Sequence, residues 1–170
     1  APGANDNASG TAMLLEFARI LKHLPTEKEV RFIACGAEEV GLWGSRRYVE
    51  QLNEDDRSRS VANFNMDMIA SDYPGLDILE VNTVDGEHND VSLAAVAAGA
   101  RLGDLNRIEA EYGISSDHRY FGQMLQIPHG GFIWVNKNGG LEPDYHMPTD
   151  TIADNFSVER FDRAGTIIGS

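Results

Sequence analysis

The chain has 170 residues, 42% of them hydrophobic, enough for one domain with a sizeable core and with no sign of a second. Its 14 basic and 27 acidic residues leave a net charge of −13, which argues against nucleic-acid or anionic-membrane partners and favours cations, although a solvated acidic face accounts for most of such an excess. A single cysteine, Cys35, excludes an internal disulfide and a multi-cysteine zinc site, and no apolar run is long enough to span a bilayer.

The first predicted element is a helix over NASGTAMLLEFARILKHL. Asn7 or Ser9 can cap it, Leu14, Phe17, Ala18, Leu21 and Leu24 recur at helical spacing, and Pro25 follows. EVRFIACG, residues 29–36, reads as a strand buried on both faces, with Cys35 as a core thiol. GLWGSRRYVEQL reads as a helix through Tyr48, Val49 and Leu52, and NEDDRSRS as a solvated connection. VANFNMDMIA and LDILEVNT are two further strands, NDVSLAAVAAGARLG a helix from Asn89 or Asp90 to Gly103, and NRIEAE a short strand. SSDHRYFGQMLQ follows as a helix capped by Ser115 or Ser116, GGFIWV as a strand, and SVERFDRAGTIIG as the closing helix. Strands interleaved with helices predict an α/β domain with a mixed or largely parallel sheet.

In such sheets the functional crevice lies at the carboxyl ends of the strands. Glu38 and Glu39 follow one predicted strand, Asp67 ends another, His146 lies in the loop after FIWV, and Asp6 stands at the entrance of the first helix. Three carboxylates and an imidazole, Asp6, Glu39, Asp67 and His146, are a ligand set suited to Zn²⁺, and two such ions can share one carboxylate. Glu38, beside a ligand, is then placed to take a proton from water. Each piece also has a plain structural reading. Two glutamates before a helix suit its dipole, GANDNASG makes a turn and cap, and Asp67 can cap a strand end. His23, His88 and His129 read as surface or loop residues, while Trp43, Phe132, Trp134 and Tyr145 suit either an apolar pocket wall or the core.

Taken in order, GANDNASG, GAEEVGLWGS, NFNMDMIA, SSDHRYF and YHMPTDT resemble the M28 family of zinc aminopeptidases, from Gly3 to the last helix. The resemblance implies a three-layer α/β/α zinc-exopeptidase domain with a central mixed sheet. It implies Asp6 as a carboxylate bridging two zinc ions, Glu39 and His146 as ligands of one, Asp67 as a ligand of the other, and Glu38 as general base. It also implies a cis peptide between Asp6 and Asn7, a supporting role for Asp117 and His118, and hydrolysis of the first peptide bond of peptides with a free N-terminus. The family's His-x-Asp segment, on an earlier strand, has no counterpart in the five residues before Asp6. Residues 1–170 are therefore expected to be part of a longer catalytic domain, without its N-terminal edge strands and with the Asp67 zinc weakly held or missing. A single-zinc glutaminyl cyclase is the competing enzyme, and a catalytically silent binding domain on the same scaffold the competing non-enzyme. Acidity and cysteine poverty together with the resemblance suggest a secreted, extracellular protein.

Overall fold

The computed structural model describes residues 1–103, 108–111 and 115–170. Its helices are α1 (Ala8–Leu21), α2 (Trp43–Gln51), α3 (Glu54–Arg59), α4 (Asp90–Leu102), α5 (His118–Tyr120), which runs on into a π-helical turn over Phe121–Leu125, and α6 (Val158–Ile168). The strands are β1 (Asn63–Met66), β2 (Ile78–Asn82), β3 (Ile108–Glu111) and β4 (His129–Val135). They form one four-stranded sheet in the order β1-β4-β2-β3. β1 runs parallel to β4 and β2 parallel to β3, while β4 and β2 are antiparallel, so the sheet is mixed as expected. The start of the predicted strand NRIEAE, residues 106–107, lies outside the described residues.

Alternation along β2 and β4 divides the core. Leu79, Val81, Phe132 and Trp134 pack with Met13 of α1, Val91, Ala95 and Ala98 of α4, and Ala164 and Ile167 of α6. Ile133 and Val135 point the other way, towards Met68, Ile78 and Leu141, and α5 packs against β1 and β4. Helices thus cover both faces, giving the α/β/α layering. Phe132 and Trp134, each at most 1% exposed, are core residues and not pocket walls. The Trp134 indole N–H donates to the Ile69 carbonyl at 3.0 Å, which satisfies its one polar group in the interior.

Five expectations are corrected. Residues 29–36 form no strand and pair with none among the described residues, and Val30 and Phe32 are 48% and 39% exposed. A strand needs a partner edge, and here a groove of about 1400 Å³, lined by Met13, Phe17, Phe32, Phe64 and Phe161, separates this segment from the outer edge of β1. Cys35 is accordingly only partly buried. NEDDRSRS contains helix α3 although it has no apolar period: Asn53 accepts from the Asp56 N–H, and Arg59 pairs with Asp55 and Asp56. SSDHRYFGQMLQ gives only the short α5 and the π turn, with no side-chain cap, and His129 is buried, accepting from the Val84 N–H at 2.9 Å through Nε2.

Candidate metal centre

The site is built at the carboxyl end of β1 and β4. Asn7 caps α1 by accepting from the Gly10 N–H, while its side-chain amide donates to the Met66 carbonyl at 2.9 Å. One residue therefore fixes the helix start to the strand end. Only glycine fits at position 10, because a Cβ there would lie 2.2 Å from the Met66 oxygen. Asp6 immediately precedes this cap, and the Asp6–Asn7 peptide is cis, as the resemblance implied.

Glu38 and Glu39 are presented by a tight loop between residues 29–36 and α2. The N–H groups of Gly41 and Leu42 both donate to the Glu38 carbonyl, and the Gly44 N–H donates to the Gly36 carbonyl at 2.9 Å. A Cβ on Gly44 would lie 2.4 Å from that carbonyl oxygen, so the start of α2 can approach residue 36 only as glycine. Asp67 follows β1 directly. His146 lies in the long loop after β4, with its backbone in the left-handed region at φ 61° and its ring stacked on Tyr145, centroids 3.7 Å apart. Ala37 and Met68, next to Glu38 and Asp67, are left-handed too. Such backbone costs roughly 1 kcal/mol or more per non-glycine residue and gathers at functional sites.

These loops bring three of the four expected ligands together. His146 Nε2 lies 2.8 Å from Glu39 Oε1 and 3.2 Å from Asp6 Oδ2, and one donor atom from each residue falls within 4.8 Å of the others. Asp67 stands apart from that cluster but within its field. One of its oxygens accepts from the Ser116 hydroxyl at 2.7 Å, and the other, Oδ1, is buried without a partner. Burial pushes Asp6 up to about 7, helped by the charges of Asp67 and Glu39. Burial likewise pushes Glu38 up to about 7, with Asp67, Asp117, Glu39 and Asp6 adding to the rise, and it raises Asp67 against the opposing pull of the Ser116 hydrogen bond. The His146 imidazole opposes these charges on Asp6 and Asp67.

A concentration of carboxylates with an orphaned buried oxygen and one imidazole fits a divalent cation, and oxygen and nitrogen donors of this kind suit zinc. Asp117, raised by burial, and His118, pushed down to about 4 by burial, lie behind the cluster. His118 stacks on His129 with centroids 6.0 Å apart. Of the aromatic residues considered for a pocket wall, Tyr145 and Trp43 remain exposed, and the Tyr145 ring stacks on His146. Sequence reading missed Ser116 as the partner of Asp67. Its position in SSDH signalled a helix cap, and only the fold brings it to β1.

The fold and site define an α/β/α domain with a carboxylate–imidazole cluster at the strand ends. The model of peptidase family M28 matches residues 1–170, and the chain belongs to that family. It is 44% identical over 168 residues to aminopeptidase YwaD of Bacillus subtilis, an alignment covering 98% of this chain and 36% of YwaD. The structure of the zinc aminopeptidase BSAP from Bacillus subtilis superposes with a TM-score of 0.93 at 43% identity, over 99% of this chain and 41% of that one. Porphyromonas gingivalis glutaminyl cyclase matches at a TM-score of 0.76 but 19% identity, over 98% of this chain and 63% of that one, a likeness of fold alone. The chain thus spans about two fifths of the aminopeptidases that it matches.

Proposed function

We propose that residues 1–170 form part of the catalytic domain of a zinc aminopeptidase that removes the N-terminal residue of peptides. The observation that carries this reading is the convergence of Asp6, Glu39 and His146 beside Glu38, a carboxylate raised to about 7. One zinc would be held by Glu39, His146 and Asp6, and a second by Asp6 and Asp67 with a ligand from outside these residues. The groove between residues 29–36 and β1 is the place where a further strand of a longer protein could supply that ligand. Zinc there would polarise the scissile carbonyl and lower the pKa of water to about 7.

The chain's own residues do the rest. A Glu38 oxygen takes the proton from the attacking water and passes it to the nitrogen of the leaving amine. A group whose affinity for protons is matched near neutrality suits both halves of that transfer. The surrounding carboxylates attract the free α-ammonium group of the substrate, so a blocked N-terminus loses its anchor. Secretion to an extracellular setting is part of the proposal and rests on the family resemblance, with which the acidity and the single cysteine are compatible.

The test is zinc per chain by native mass spectrometry, followed by hydrolysis of free and N-acetylated aminoacyl p-nitroanilides by the full-length protein. Cleavage of the free compound only, with two zincs in the full-length protein, supports the proposal. Ammonia release from a glutamine-initiated peptide without cleavage replaces it with a cyclase, and a protein without zinc sinks both.

A further inference from the structure

Three consecutive backbone amides leading into Asp6 are taken by one residue. The Ala4 N–H donates to the Asp150 carbonyl at 3.1 Å, the Asn5 N–H to Asp150 Oδ1 at 2.8 Å, and the Asp6 N–H to Asp150 Oδ2 at 3.0 Å. Asp150 is 0% exposed and is itself locked, since Asn155 Nδ2 donates to its Oδ1 at 3.0 Å. The lock extends through a second buried carboxylate. Glu142 accepts from the side chains of Asn5 and Asn155 at 2.8 and 2.7 Å and from the Ser71 hydroxyl, and Asn5 Oδ1 accepts from the Ala70 N–H.

Asp150 also belongs to the loop that carries His146. Its own N–H donates to the Met147 carbonyl, and the Met147 N–H to the Asp144 carbonyl, so a run of tight turns sets Asp150 at a fixed offset from His146. Asp150 thus holds the Asp6 segment from within the turn that presents His146. Both oxygens of a carboxylate are needed for this grip. An amide of the same shape has one acceptor and must turn its donor group towards one of the two N–H groups.

We propose that Asp150 is a positioning residue that sets Asp6 against His146 and so determines how tightly this centre binds zinc. The proposal rests on the zinc reading of the site. Buried groups that orient ligands in this way are worth about 10- to 100-fold in metal affinity.

The experiment is a competition titration of Zn²⁺ against a chromophoric chelator in the full-length protein, at a temperature where far-UV circular dichroism shows every variant folded. Wild type, Asp150→Asn and His146→Ala are compared. A rise of threefold or more in the zinc dissociation constant of Asp150→Asn supports the proposal, and about tenfold is expected. A change below threefold overturns it, however much the variant's thermal stability has moved. If wild type binds zinc no better than His146→Ala, the zinc reading itself fails and takes the proposal with it. Should Asp150→Asn not fold, amide hydrogen exchange in the metal-free wild type decides. Slow exchange at both Asn5 and Asp6 is expected, and exchange of either at the rate of an open amide overturns the grip.

Discussion

His146 Nε2 lies 2.8 Å from Glu39 Oε1, joining the loop after β4 to the loop before α2 across 107 residues of sequence. Two surface side chains rarely hold such a contact for its own sake, since an exposed pair contributes only about 0–1 kcal/mol. A shared cation gives both a reason to meet. Replacing His146 with alanine should abolish binding of one zinc per chain at micromolar metal, measured by native mass spectrometry, while the protein remains folded by circular dichroism.

Glu38 is next to the proposed ligand Glu39 but outside the cluster of Asp6, Glu39 and His146. Its conversion to glutamine keeps the shape and removes the proton acceptor. In the full-length protein, kcat should fall about 10²- to 10⁴-fold with KM and zinc content nearly unchanged. Equal loss of zinc and activity would make Glu38 a ligand and not the base.

The metal-free protein should be less stable at pH 8 than at pH 5. Asp6 and Glu38 hold protons up to about pH 7 in the folded chain, whereas unfolded carboxylates release them near about pH 4. Across that interval the folded state binds more protons, so this contribution is complete below about pH 4 and lost as pH rises through about 7. Both side chains are partly open to solvent, which keeps the amplitude modest. Thermal unfolding after chelation should show the fall, a smaller one in Glu38→Gln, and recovery at pH 8 on adding zinc, because ligation favours the deprotonated carboxylates.

Gly44→Ala tests whether backbone contact positions the glutamates. The added methyl would sit 2.4 Å from the Gly36 oxygen, so the start of α2 or residues 36–39 must shift. Activity of the full-length protein should fall at least tenfold with the overall fold retained, because a displacement of about 1 Å at reacting groups costs about 10²-fold. Wild-type kcat and zinc affinity in this variant would show that the loop adjusts without moving Glu38 and Glu39.

Trp134→Phe tests the core. It leaves the Ile69 carbonyl without its donor and removes buried ring volume, so unfolding in urea should show a loss of about 2–4 kcal/mol with an unchanged slope.

What was legible in the sequence depended on how local the signal was. Helices α1, α4 and α6 carry their own apolar periods and their own caps, Asn7, Asn89 and Ser157, so their extents were readable from neighbours alone. The meeting of Asp6, Glu39 and His146 was readable because element ends in an α/β sheet converge by topology. Residues 29–36 show the limit. Their composition is that of a buried strand, but pairing depends on an edge elsewhere, and no described strand lies against them. Ser116, Asp150 and His129 were unreadable for the same reason. Each acts on groups tens of residues or more away, Asp67, Asn5 and Val84, and nothing in the flanking residues encodes those meetings. Asp117 and His118 stand behind the cluster, yet their neighbourhood there came from the fold and not from SSDH itself.

The Asp6–His146 contact joins the first loop of the chain to one of its last. No unfolded chain offers that pair of donors at one point, so a cation held between them works as a clasp that closes only around the finished fold. Occupancy then serves as a certificate of assembly. If such a cation is bound, the metal-free chain should be cut faster by an added protease than the zinc-bound one.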